Sequence, residues 1–516
     1  MTSTLPEPVR HRSPDESFCP RQRRVYILLA AIVASSLGFI DGSILAIAVP
    51  AIRGDLGASL PQAQWISNAY ALTLSALILT GGAAGDRFGL RRTFIAGIVF
   101  FVAMSLVCAA APNAPFLIVA RGLQGIGAAF MIPGSLAIIA KAYPKAERGR
   151  AIGIWAASSA LTTALGPILG GFVLSTFGGD IWRAIFAVNL PLGMLAIILL
   201  LRVPNDKPSR PRRLDLTGVV LATIAFGGLA YGLSAAGAGE DGGTAALVLL
   251  SIMAGVAALV VFLIWEMRQQ EPMVKLSLFR NRAFSGANVA TFFLYFALSG
   301  VLFYLPMLLI AGWGMDEATT GFVFLPLSVA IAIFSGPVGR WADAIGPRLP
   351  ITAGSLMVGA AFAGLAVATG AEVHRFWQLV FPLMVLMGLG MALVVSPLST
   401  AVMTSVEDED TGAASGINNA VSRIAGLIAV AALGSLAAYR YQSITGGGEG
   451  MPGFGEPSGG LPPSLEAARM AASDAAFSLL AWTVAALCLF AAATAWATQT
   501  DRRGKEKKQN PASPKL

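Results

Sequence analysis

The sequence predicts an all-α polytopic membrane protein of about fourteen spans, on three observations. Only 12% of its 516 residues are charged, where a soluble domain carries roughly 25%. The apolar residues, 55% of the chain, gather into long runs separated by short polar segments. Each run has the length of a span, because crossing ~30 Å of hydrocarbon at 1.5 Å per residue takes about 20 residues of helix. The basic residues are also sorted by side. With both termini placed in the cytoplasm, and Arg202 at the end of its segment counted with the loop it borders, the inner loops and tails hold 29 of the 36 Lys and Arg, the outer loops 5 and the spans 2. That bias orients membrane helices and requires an even number of spans.

The apolar segments fall at about 25–50, 64–83, 93–111, 115–140, 151–174, 184–203 and 216–236. They continue at 244–266, 284–310, 319–338, 350–370, 377–404, 411–437 and 475–498. The first stretch is longer than a secretory h-region and lacks a convincing cleavage site, which predicts a retained span. After the second segment the chain reads Gly82, Asp86, Gly89 and Arg91, and the same four residue types recur 257 residues later as Gly339, Asp343, Gly346 and Arg348. Two bundles of six spans with an inserted pair between them account for that offset. The expected division is a cytoplasmic tail at 1–24, a first bundle at 25–203 and a linker with two inserted helices at 204–283. A second bundle at 284–498 and a basic cytoplasmic tail at 499–516 complete it. The segment 438–474, rich in Gly and Pro, is expected as the one long outer loop.

Several function classes are excluded. The net charge of +8 lies in loops beside apolar runs and not along a soluble face, so nucleic acid is not an expected partner. Cys19, Cys108 and Cys488 form no disulfide framework, and the lack of an Asn-x-Ser/Thr acceptor leans towards a bacterial source. An intramembrane enzyme would need a nucleophile–base set or metal ligands inside the spans, but the two histidines, His11 and His374, both fall outside. There is no H-E-x-x-H, G-x-S-x-G or Walker A loop, so no metal, cofactor, hydrolase site or nucleotide-driven pump is expected.

The loop from Gly82 through Asp86, Arg87, Gly89, Arg91 and Arg92 has glycines for a tight turn and an Asp placed to cap the next helix or to pair with Arg. It is expected to lock the cytoplasmic ends of neighbouring spans, with Asp343 and Arg348 as its second copy. Gly166 and Pro167 bend the fifth span, and Gly170 and Gly171 let it press against a neighbour. Among 28 acidic residues only Asp41 falls well inside a span, where a carboxylate costs ~2.5–3.5 kcal/mol. Arg121, in the fourth span, is its natural partner. Arg423, in the thirteenth, reads as a snorkelling or gate-pairing residue. Tyr70, Tyr295, Tyr304, Met391 and Asn418 are the candidates for a greasy substrate cavity. The acidic run Glu407 to Asp410 reads as a solvated turn or an inner gate partner.

These motifs resemble those of the major facilitator superfamily. The loop after the second span is similar to its motif A, departing at Leu90, where the family usually has a basic residue. Arg121-Gly122-Leu123-Gln124-Gly125-Ile126-Gly127 resembles motif B, and Gly166-Pro167-Ile168-Leu169-Gly170-Gly171 resembles the antiporter motif C. Phe39-Ile40-Asp41, Trp65 with Tyr70, Trp182-Arg183 with Asn189, Leu214-Asp215 with Gly218, and Glu271-Pro272 resemble the drug:proton antiporters with fourteen spans. The resemblance implies the major facilitator fold and a proton-coupled antiporter of lipophilic small molecules in the cell membrane, working as a monomer. It implies a proton-coupling role for Asp41 and Arg121 and closure of a leak path by the Gly166–Gly171 segment. A proton symporter, an exporter of one physiological metabolite, and a sensor on a transporter scaffold are the alternatives. A single membrane carboxylate predicts about one proton per cycle and a neutral, zwitterionic or monocationic substrate.

Overall fold

The computed structural model describes residues 18–206, 215–236, 242–270, 272–407, 410–446, 451–457 and 460–501. His11, Leu214, Glu271, Asp408, Glu409 and most of the two expected tails lie outside them. Among the described residues there are fourteen helices long and apolar enough to cross a membrane. They are α1 (Arg21–Leu56), α2 (Leu60–Phe88), α3 (Leu90–Ala109), α4 (Ala114–Ala142), α5 (Glu147–Phe177), α6 (Gly179–Leu201) and α7 (Leu216–Ala236). Then come α8 (Ala245–Arg268), α9 (Arg282–Gly312), α10 (Glu317–Ile345), α11 (Arg348–Gly370), α12 (Phe376–Thr404), α13 (Thr411–Thr445) and α14 (Pro463–Thr498). Every expected span is present.

Local chemistry sets many of the helix starts. Ser59 and Gln62 form a reciprocal capping box on α2. Asn113 caps α4 through the Phe116 amide, and Asp316 caps α10 through the Thr319 amide at 2.7 Å. The turns between α2 and α3 and between α10 and α11 each use a glycine at positive φ, Gly89 at +95° and Gly346 at +97°. Only glycine takes that conformation without strain, so the repeat seen in the sequence is a repeat of backbone geometry.

The packing repeats as well. In the first half α4 lies against α2 and α3, α5 against α1, and α6 against α1 and α3. In the second half α12 lies against α10 and α11, α13 against α9, and α14 against α9 and α11. Small residues make the matching approaches possible where no hydrophobic drive pulls helices together. A Cβ on Gly125 would stand 2.4 Å from the Tyr70 carbonyl, and one on Gly388 would stand 2.7 Å from the Pro326 carbonyl. The inserted pair α7 and α8 forms a hairpin, and α7 leans on α2 and α13 between the halves. The two halves also meet through α5 with α10 and α1 with α9.

The helices run past the apolar segments, and this corrects two expectations. α13 ends at Thr445 and α14 starts at Pro463, so the outer connection is 446–462 and not 438–474. Asp474, expected in that loop, lies on α14 and is buried. It accepts from Trp313 Nε1 at 2.7 Å and stands 2.6 Å from His374 Nε2. Polar residues extend a membrane helix freely once it has left the hydrocarbon, so hydropathy marks the apolar core of each helix and not its ends.

Candidate functional site

Asp41 and Arg121 meet at the centre of the first half with no side-chain exposure on either. α1 supplies Asp41, and the first turns of α4 supply Arg121 and Gln124. Arg121 Nη1 donates to Asp41 Oδ2 at 2.5 Å and to Gln124 Oε1 at 2.6 Å, and its Nε donates to the Ile66 carbonyl at 3.1 Å. Gln124 Nε2 donates to Asp41 Oδ1 at 3.0 Å and to Ser105 Oγ at 2.8 Å. Asn189 Nδ2 donates to the same hydroxyl at 3.1 Å. The Tyr70 ring covers the guanidinium, with Arg121 Cζ 4.4 Å from its centroid. A buried ion pair is tolerable when its remaining donors and acceptors are matched, and four helices besides α1 do that here. Arg121 Nη2 and Asn189 Oδ1 are the atoms of this network left without a hydrogen-bond partner among the described residues. The sequence identified the two charges; it gave no role to Gln124, Ser105 or Asn189, although Gln124 and Asn189 sit inside quoted motifs.

A different carboxylate from the expected one caps α3. Gly89 has no side chain to cap with, and Asp206, just beyond α6, accepts from the Leu90 and Arg91 amides at 3.0 Å each. Lys141 Nζ reaches the same carboxylate at 2.8 Å. Burial would raise the Asp206 pKa, but Lys141 and the two amides outweigh it and hold the carboxyl below its ordinary value. Arg91 also grips the end of α6 through the Leu200 carbonyl at 2.8 Å. Its counterpart Arg348 repeats the arrangement at the end of α14, 3.6 Å from Asp501 and 3.8 Å from the Trp496 ring centroid. Asp86 therefore does neither of its expected jobs. It lies on the last turn of α2, lines a cavity, and forms no ion pair among the described residues. Arg87 is exposed and rests over Phe88, and Arg92 and Asp343 are exposed. No local signal marks Asp206, whose partners are 65 to 116 positions away.

The Gly166–Gly171 segment of α5 packs on both halves. A Cβ on Gly166 would meet Ser43 Oγ at 2.9 Å, and one on Gly170 would meet Ile44 Cγ1 at 2.1 Å, both on α1. One on Gly171 would stand 2.2 Å from the Glu317 carbonyl oxygen of α10, where Gly321 returns the approach against the Pro167 carbonyl at 2.8 Å. Nearby, Arg53 on α1 donates to the Phe454 carbonyl at 2.7 Å and reaches Glu456 at 3.7 Å, and Tyr441 donates to the Pro452 carbonyl at 2.7 Å. The segment 451–457 is thereby folded across this end of the molecule.

A cavity of about 1410 Å³ runs between the halves from the opposite end, the one that carries Asp86, Asp215, Gln270, Lys275 and Asp410. It reaches Arg121, Tyr70, Tyr295 and Arg423 at mid-depth. Of the five expected cavity residues, Tyr70 and Tyr295 line it. Tyr304 is buried behind it, donating to the Val430 carbonyl and packing edge-on against Phe303. Met391 is enclosed in the core of the second half, and Asn418 is turned to Thr291 on α9 at 3.1 Å. On α13 the phase that faces the cavity belongs to Ser415, Asn419, Ser422 and Arg423. The acidic run contributes Asp410, which pairs with Lys275 at 2.7 Å at the mouth.

The Major Facilitator Superfamily sequence profile matches residues 31–430. The chain is 35% identical to the "Multidrug resistance protein Stp" of Mycobacterium tuberculosis over 416 residues, 80% of this chain and 76% of that one. It is 32% identical to the "Tetracenomycin C resistance and export protein" of Streptomyces glaucescens over 422 residues, 81% of this chain and 76% of that one. Among solved structures, a bacterial homolog of the human lysosomal transporter Spinster, in an inward-facing and unoccupied conformation, matches with a TM-score of 0.66. That match covers 94% of this chain and 100% of the other at 16% identity, a likeness of fold.

Proposed function

The chain belongs to the major facilitator superfamily, and from that premise we propose that it exports lipophilic small molecules, drugs or antibiotics among them, in exchange for protons. It is a multi-pass transporter of the bacterial inner membrane, and its relatives include multidrug and antibiotic resistance proteins. A small-molecule substrate and protons are its proposed partners, the lipid bilayer its surroundings, and a monomer its working unit. The basic end is assigned to the cytoplasm with both termini, and the cavity then faces inward. The bundles 25–203 and 284–498 are the proposed rocking units around it, with 204–283 as their linker.

The observation that carries the exchange is the buried Asp41–Arg121 pair directly behind the cavity wall. A proton on Asp41 neutralises it and leaves Arg121 with a carbonyl, an amide oxygen and a π face. Breaking such a pair costs about 3–5 kcal/mol, enough to change which conformation is preferred. Both side chains are sealed in this conformation, so proton entry requires the helices to part, which ties protonation to the conformational cycle. Two locks complete the proposal. The α5–α10 contact at Gly171 holds the outer end shut, and the loop at 82–92 secures the ends of α2, α3 and α6 at the inner end.

The test is Asp41→Asn, which keeps the shape and removes the titration. Everted vesicles carrying it should show no substrate-dependent proton efflux and no dye uptake driven by the pH gradient, with the protein inserted but less stable by up to about 3–5 kcal/mol, since Arg121 keeps its charge without a carboxylate. Wild-type transport by this variant would end the proposal.

A further inference from the structure

We propose that Arg423 anchors an acidic group of the substrate, so that the cavity selects monoanionic acids carried on a flat apolar skeleton. This deepens the export reading by assigning a substrate class to the same cavity. Arg423 lies twelve residues into α13, about 18 Å along the helix from its first turn, and lines the cavity. Among the described residues its guanidinium has no hydrogen-bond or ion-pair partner, and its Nε is buried. The titratable groups that face it are Tyr70 on α2 and Tyr295 on α9, and neither supplies a carboxylate.

Every other charge in the cavity is committed or distant. Arg121 is held by Asp41, and Lys275 by Asp410. Asp215 accepts from the Gly218 amide at 2.8 Å and from Trp265 Nε1 at 3.2 Å. Asp86 is uncommitted, but it lies sixteen residues along α2 from Tyr70, about 24 Å away and at the mouth. The uncommitted charge at mid-depth is therefore positive. A guanidinium at that depth is too far from either end to snorkel, so the snorkelling role expected from the sequence fails, and a gate role lacks a carboxylate to pair with. The planar fork suits carboxylate, sulfonate or an acidic phenol. Phe39, Tyr70, Tyr295, Leu302, Phe303 and Phe324 supply walls for an aromatic or alicyclic body. The sequence's count of membrane carboxylates favoured neutral or cationic cargo, whereas the unpaired side chain at the binding depth favours an anion.

The experiment uses three probes on one skeleton, 1-pyrenebutanoate, 1-pyrenebutanol and 1-pyrenebutylammonium. Binding to the purified full chain in a neutral detergent is read by tryptophan-to-pyrene energy transfer at neutral pH, corrected for micelle partition. Charge-assisted bonds to one guanidinium should make the acid bind about tenfold or more tighter than the alcohol, with the ammonium weakest. Arg423→Gln should bring the acid-to-alcohol ratio to within about twofold, and Arg423→Lys should leave an intermediate ratio. A wild-type protein that binds the alcohol or the ammonium as well as the acid overturns the proposal, whether or not any variant folds. An Arg423→Gln protein with the wild-type ratio overturns it too. Added phosphatidylglycerol should leave the ratio unchanged; if it abolishes the acid preference, the ligand is a lipid headgroup and the proposal falls. Acid selectivity in a chain that exports nothing would sink the exporter and keep the anchor, while proton-driven export of the alcohol without acid preference would do the reverse.

Discussion

Gly171→Ala adds one methyl group at the contact that closes the end away from the cavity. The new Cβ would stand 2.2 Å from the Glu317 carbonyl oxygen, 2.8 Å from its carbon and 3.2 Å from Ala318 Cα, where ordinary contact begins at 3.4 Å. All three are main-chain atoms, so no rotamer relieves the clash, and α5 and α10 must separate by about 1 Å. Overpacking of this size costs about 1–3 kcal/mol. The cost falls only on the conformation in which the contact is made, so the equilibrium should move about 5- to 150-fold towards the opposite one. The assay places a single cysteine at Ser43, in the cavity wall, after replacing Cys19, Cys108 and Cys488, and labels it with an impermeant maleimide from either side. Gly171→Ala should lower labelling from the basic end and raise it from the other by about fivefold or more. Gly153→Ala, on the same helix with nothing within 4 Å of its Cβ, is the control and should change neither. If Gly171→Ala labels like wild type from both sides, the contact is not a gate.

The remaining expectations concern the charges. Arg121→Ala should abolish transport and lower stability by about 3–5 kcal/mol relative to wild type, because it leaves a carboxylate buried without its partner. Asp206→Asn should cost about 1–3 kcal/mol, since Lys141 keeps 30% exposure and can be solvated while one of the two α3 amides loses its acceptor and meets an NH2 group. The Asp206 pKa is lowered in the folded protein, so its contribution is present above the ordinary carboxyl pKa of about 3.9 and is lost as pH falls through the folded value. The difference in melting temperature between wild type and Asp206→Asn should thus be flat from about pH 5.5 to 8 and shrink below about pH 4. Dicationic cargo should be exported poorly. Robust proton-driven export of a bis-quaternary compound would require a second acidic site, for which buried Asp474 beside His374 is the place to look.

The amino-acid sequence alone determined the number of spans, the repeat, and the pairing of Asp41 with Arg121. The first and last follow from the cost of polarity in hydrocarbon, since a span needs its twenty apolar residues and a charge inside one needs an opposite charge, and the repeat follows from four residue types recurring at one offset. With one carboxylate and two arginines inside the expected spans, a pair was required, and the likeness of the Arg121 segment to motif B singled out Arg121 over Arg423. The tertiary structure decided what lies next to what across long separations. Asp206 caps α3 from 116 positions away because Gly89 leaves the helix end bare, and nothing near either residue announces it. It also decided which face of each helix meets the cavity, admitting Tyr295 and Asn419 while turning Tyr304, Met391 and Asn418 away. A membrane helix is apolar on its lipid side and its core side alike, so its rotation leaves no periodic mark in the sequence and is fixed by packing against neighbours. For the same reason Arg423 could be seen from the sequence as a charge in a span, but only the packed bundle left it facing an open cavity with no partner among the described residues.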